Sequence, residues 1–110
     1  MNESKLSLKK NPILKDFQDY VKELEAERGF EKQDVIQKSL LLGEEIGELF
    51  KAVRKMQSIS IDKQNSKITT VEEELADILI YVCAIANRYN IDLEKAFRDK
   101  EEVNKERIWS

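Results

Sequence analysis

Apolar residues recur at three- and four-residue steps in four separate stretches of the chain, and each stretch predicts a helix. The first carries Ile13, Leu14, Phe17, Tyr20, Val21 and Leu24. Asn11-Pro12 reads as its start, Asn as N-cap and Pro at the first helical position, and Gly29 as its stop. After a short connection, Phe30 to Gln33, Asp34 can cap a long second helix running to about Gln57. Its apolar positions are Val35, Ile36, Leu40, Leu41, Leu42, Ile46, Leu49, Phe50, Val53 and Met56. The third stretch is apolar nearly all round from Leu75 to Ala86, as befits a helix in the middle of something. Thr69 and Thr70, each three residues before a glutamate, offer two capping boxes for it. Asp92 caps a fourth helix from Leu93 to about Arg107, with Leu93, Ala96, Phe97, Val103 and Ile108 as its expected buried stripe. Residues 58–67 form a polar loop, longer than two packed antiparallel helices need and so a candidate flap. Residues 1–10 read as a loose arm. The expectation is an all-α fold of four helices, with 1–110 as a single domain.

Composition narrows what such a fold does. With 37% charged residues, 3 Gly and 1 Pro, usage is that of a helical protein. A net charge of −3 argues against a nucleic-acid polymer or an anionic membrane surface as partner. There is no histidine, which removes imidazole bases, His metal sites and Ser-His or Cys-His triads. The one cysteine, Cys83, sits in apolar surroundings and reads as a small core residue. Met1 to Lys10 lacks the apolar core of a signal peptide, and the longest uncharged run, 78–87, is far shorter than a membrane span. A soluble cytoplasmic protein is expected.

The chemistry begins with carboxylates in apolar places. Glu45 and Glu48 lie three apart inside Leu41–Leu49, and Glu74 and Asp77 three apart at the head of the apolar third helix. At about 100° per residue each pair shares one helical face. Two facing pairs would gather four negative charges, and unit charges ~4 Å apart repel by ~4 kcal/mol at an effective dielectric of ~20. Such a group calls for a cation, and hard oxygen donors suit Mg²⁺ or Mn²⁺. Glu72 and Glu73 read instead as first-turn capping residues. Glu44 either activates water or faces solvent. Gly43 and Gly47, four apart, either are tolerated at ~1 kcal/mol each or let another helix approach closely beside the acids.

The fourth helix supplies a complement. Lys100, Asn104 and Arg107 fall within about 40° of one another on its apolar side, where phosphate oxygens are natural partners for the cations and a sugar or base edge for Asn104. Lys51, Arg54 and Lys55 either reach phosphates or answer the dipole at a helix C-terminus. Phe30 is placed to stack a base or to pack at a hinge. A di-iron carboxylate bundle also clusters acids on helices, but its Glu-x-x-His pairs cannot be made here.

Glu44-Glu45-Ile46-Gly47-Glu48, then 25 residues, then Glu74-Leu75-Ala76-Asp77 resembles the EExxE…ExxD signature of the MazG-like all-α nucleoside triphosphate pyrophosphohydrolases. Lys100, Asn104 and Arg107 are similar to that family's closing K-x3-N-x2-R pattern, so the likeness runs from about Phe30 to Ile108. The resemblance implies a four-helix bundle completed by oligomerisation, as a homodimer or a dimer of dimers with the site at a subunit interface. It implies hydrolysis of a (deoxy)nucleoside triphosphate to the monophosphate and pyrophosphate, in nucleotide-pool housekeeping. Glu45, Glu48, Glu74 and Asp77 would hold Mg²⁺, with Mn²⁺ as the other candidate. Lys100, Asn104 and Arg107 would face the nucleotide; Glu44 and Glu45 are the expected catalytic acids, and Phe30 is a further candidate substrate contact from its place before the acid-bearing helix. The chain departs from the pattern after Arg107, where Ile108 and then Trp109 stand in place of an immediate aromatic. The competing expectation is a helical dimerisation or adaptor module, or a nucleotide sensor that does not cleave.

Overall fold

A computed structural model describes residues 4–57 and 70–107, and among them the chain is four α-helices with no strand. These are α1 (Leu14–Arg28), α2 (Val35–Gln57), α3 (Val71–Arg88) and α4 (Leu93–Lys105). The expected loop at 58–67, Thr69 and Ile108 lie outside the described residues. None of the described helices is long and apolar enough to cross a membrane.

Local chemistry sets the helix ends. α1 starts two residues later than Asn11-Pro12 suggests, because the Asp16 carboxylate accepts the Ile13 N–H at 2.8 Å and Asn11 adopts a left-handed φ of 56°. At its other end Gly29 closes the helix at φ 76°, and its N–H donates to the Glu25 carbonyl. Asp34 and Gln37 cap α2 reciprocally, the Gln37 N–H donating to Asp34 Oδ1 at 2.8 Å and the Asp34 N–H to Gln37 Oε1 at 2.9 Å. Thr70 Oγ1 accepts the Glu73 N–H at 3.1 Å, and Asp92 Oδ1 the Lys95 N–H at 3.2 Å. α3 ends as Asn90 turns left-handed and the Ile91 N–H reaches back to the Ala86 carbonyl at 2.9 Å.

The chain divides into two compact units, residues 1–32 with 83–110 and residues 33–82, the division falling inside α3. The first unit buries Val21 and Leu24 of α1 with Cys83, Ala84 and Ala86 of α3. Burying an aliphatic side chain the size of Val or Leu stabilises by ~1.5–3 kcal/mol. Cys83 is fully enclosed, and burial pushes its thiol pKa up, so it is the inert core residue expected. Polar groups tie the helices of this unit. Gln18 Nε2 donates to Asn87 Oδ1 at 3.2 Å and to the Ile91 carbonyl at 2.8 Å, while its Oε1 accepts the Leu93 N–H at 3.0 Å. The Arg88 guanidinium grips both oxygens of Glu25 at 2.8 Å and donates to the Phe30 carbonyl at 3.1 Å.

The apolar stripes are real but less covered than their pattern implies. No residue of α4 is buried, and Phe97 and Val103 of its expected inner stripe are exposed. On α2 only Lys38 and Ala52 are buried, whereas Ile36, Leu40, Phe50 and Met56 are each about 70% exposed. On α3 the buried apolar residues lie in the C-terminal half, while Leu75 and Leu79 are exposed. Among the described residues, a side chain placed at Gly43 or Gly47 would meet nothing within 4 Å.

Candidate functional site

The second unit assembles the acids. Glu45 on α2 and Glu74 and Asp77 on α3 offer carboxylate oxygens that all lie within 4.8 Å of one another. Two cross-helix pairings fix the register: Glu45 hydrogen-bonds Glu74, and Lys38 Nζ stands 5.3 Å from the Tyr81 ring centroid. Seven residues back along α2 answer seven residues forward along α3, so these segments run antiparallel, with the same faces meeting every two turns.

The electrostatics are those of closely spaced carboxylates. The Glu45 pKa is raised to about 7, chiefly because its hydrogen bond to Glu74 requires a proton between the two carboxyls. Partial burial and the charges of Glu74, Asp77 and Glu48 add to the rise. Burial and the charges of Glu74 and Glu73 raise Asp77 as well. Tyr81 is pushed up by burial and then by Glu45, Asp77 and Glu44. Three carboxylates held this close suit a hard divalent cation, whose octahedral oxygens stand ~2.0–2.1 Å from the ion. Oxygens within 4.8 Å are a small side-chain rotation from such a shell, so this set could hold a metal ion.

Three of the four proposed metal ligands are therefore gathered, and Glu48 is the exception. It is exposed and outside the tight trio, although its charge reaches Glu45. Glu44 is exposed and acts on Tyr81 through its charge. Glu72 and Glu73 are exposed in the first turn of α3. The remaining candidates belong to the first unit. Lys100 and Arg107 are exposed, and Asn104 is half-buried with its Nδ2 donating to Glu101 Oε2 at 2.9 Å. Phe30 has an exposed ring and an anchored backbone, its N–H on the Glu25 carbonyl at 2.8 Å.

Two residues beside the acid group, Lys38 and Tyr81, are not singled out by the spacing of the carboxylates alone. The signal was there as spacing: Lys38 lies seven before Glu45 and Tyr81 seven after Glu74, on the same helical faces.

A helical domain presenting carboxylates from two antiparallel helices defines a class, that of all-α carboxylate-site proteins. Residues 33–107 match the family model of the MazG nucleotide pyrophosphohydrolase domain, and the chain belongs to that family of hydrolases. It is 32% identical over 105 residues to dCTP pyrophosphatase 1 of Rattus norvegicus. That match takes in 92% of this chain and 62% of the rat protein's length, so the chain spans less than two thirds of that relative. Its fold is similar to crystal structures of iMazG from Vibrio DAT 722. The Ctag form aligns at a TM-score of 0.60 and 35% identity, covering 86% of this chain and 99% of the other. The Ntag form gives 0.59 and 35%, covering 86% and 95%.

Proposed function

We propose that the chain is a Mg²⁺-dependent pyrophosphohydrolase that converts a (deoxy)nucleoside triphosphate to the monophosphate and pyrophosphate, working as a single domain over 1–110 in nucleotide-pool housekeeping in the cytoplasm. The observation that carries this reading is the Glu45–Glu74–Asp77 group within a MazG-family domain. Those three residues, with Glu48 alongside, would hold Mg²⁺ or Mn²⁺. When bound, the cation would polarise the triphosphate and neutralise charge that develops on it.

The chain's own groups supply the rest. Glu45, bonded to Glu74 at the centre of the acid group, would act together with Glu44 on the attacking water. Glu44, an exposed carboxylate beside it, would orient that water. Lys100 and Arg107 would offset triphosphate charge, and Asn104 would bind sugar or base. The exposed ring of Phe30 would stack on the base. The likeness to a dCTP pyrophosphatase makes dCTP the first substrate to try.

The same reading includes a homodimer or a dimer of dimers. Ile36, Leu40, Gly43, Gly47 and Phe50 fall on one face of α2, apolar, exposed and free of bulk at its centre. A second copy would complete the bundle there.

The test is pyrophosphate release from a panel of ordinary and modified triphosphates with Mg²⁺, repeated with Glu48→Gln and Asp77→Asn. Release by the wild type and its loss in both variants is expected. Full activity in either variant would remove that residue from the ligand set, and no release from any triphosphate would favour a sensor or adaptor.

A further inference from the structure

One buried charge has no part in the scheme above. Among the described residues the buried polar or charged side chains are Gln18, Glu25, Lys38 and Glu74. Gln18 is occupied by Asn87, Ile91 and Leu93, and Glu25 by Arg88. Lys38 and Glu74 belong to the second unit, and each is 3% exposed. An ammonium removed from water needs anionic neighbours, because an uncompensated buried charge is strongly destabilising.

The register places acids along the same faces. Lys38 faces Tyr81, and one seven-residue step further along the same faces Glu45 meets Glu74. That step is about 10.5 Å along a helix axis, and Asp77 lies within it. Tyr81 spans the interval: its ring takes the Lys38 ammonium, and its hydroxyl lies in the field of Glu45 and Asp77. The other described cations of α2, Lys51, Arg54 and Lys55, are not buried and lie beyond Glu48.

We propose that Lys38 is the resident cation of the carboxylate group, a positioning residue that, seated over the Tyr81 ring, holds Glu45, Glu74 and Asp77 together when no metal is bound. This rests on reading the three acids as a metal site. A divalent ion then joins a group already gathered, and Lys38 carries part of the positive charge the acids need before it arrives.

The test compares melting temperatures of the wild type, Lys38→Met, Lys38→Arg, Glu74→Gln and the Lys38→Met/Glu74→Gln double variant, metal-free and with saturating Mn²⁺ at pH 8. Lys38→Met, which keeps length and apolar bulk, should lower the metal-free value by on the order of 10 °C. Lys38→Arg should restore most of it. In the Glu74→Gln background the loss should fall to less than half, and Mn²⁺ should raise Lys38→Met by more degrees than it raises the wild type. A purely packing role predicts none of this: Lys38→Met would be neutral or stabilising, and its effect would add to that of Glu74→Gln. Either result overturns the proposal. Should Lys38→Met fail to fold alone, folding of the double variant supports the proposal and its failure overturns it. Absence of any Mn²⁺ effect on the wild type would sink the metal site itself, while the metal-free comparison would still decide Lys38.

Discussion

Among the described residues, two buried acid–base groups are built on opposite plans. In the first unit Glu25 and Arg88 match one to one, with two 2.8 Å hydrogen bonds and side chains 6% and 14% exposed. Arg88 also donates to the backbone carbonyls of Ala84 and Phe30. The two charges match, so no further ion is required there. In the second unit three carboxylates converge one seven-residue step from the buried Lys38 ammonium, and negative charge is in surplus. Glu45 holds a proton near neutrality chiefly through its hydrogen bond to Glu74, with burial and the neighbouring charges adding to the rise. A balanced pair fastens helices; an unbalanced group is a request for a ligand.

The largest test of this contrast is to break the closed pair. Arg88→Met leaves Glu25 buried and uncompensated and should cost ~3–5 kcal/mol in denaturant unfolding. Saturating Mn²⁺ should not restore the loss, since the pair has no place for a cation. A variant rescued by Mn²⁺ would erase the distinction between the two groups.

Next comes the open group. Glu45→Gln or Asp77→Asn should lower kcat/KM for triphosphate cleavage on the order of 10²–10³-fold, the scale of losing one preorganised electrostatic contact at a reacting centre. Both variants should be as stable as the wild type or more so without metal, because each removes a repelling charge. Loss of metal-free stability would show that the acids are structural.

Acidity gives a smaller, signed effect. The folded-state pKa of Glu45 is raised from 4.5 to about 7, so its proton stabilises the folded chain below about 4.5 and that stabilisation is lost as pH rises through about 7. Metal-free melting temperature should therefore climb as pH is lowered from 8 to 6. With Mn²⁺ bound the slope should flatten, and Mn²⁺ affinity should fall over the same window as protons compete for the carboxylates. A metal-free profile flat between 6 and 8 would contradict the shared proton.

The smallest effect separates a neighbour from a ligand. Glu73 is exposed, acts on Asp77 only through its charge, and its backbone is capped by Thr70. Glu73→Gln should weaken Mn²⁺ binding by less than ~5-fold, the range of an exposed charge interaction, with kcat unchanged. A loss as large as that of Asp77→Asn would enlarge the site to include it.

Much of this protein is local and therefore legible in its residues. Helical periodicity, Gly29 at its left-handed turn, and Asp34, Thr70 and Asp92 as caps depend on groups within four residues of one another. The three-residue spacing of Glu74 and Asp77, and Glu45 inside Leu41–Leu49, marked carboxylates on faces that ought to be apolar. Even so, α1 begins at Leu14 because the Asp16 side chain outcompetes Asn11-Pro12 for the first turn. What periodicity could not decide is which partner covers a stripe. An apolar face records that burial would be favourable, not what supplies it, and so α4 and much of α2 were expected inside yet are exposed in the single chain. Nor does spacing fix how one helix registers against another. Only the antiparallel pairing of α2 with the start of α3 set Lys38 over Tyr81, left Glu48 outside the trio, and gathered Glu45, Glu74 and Asp77 within 4.8 Å.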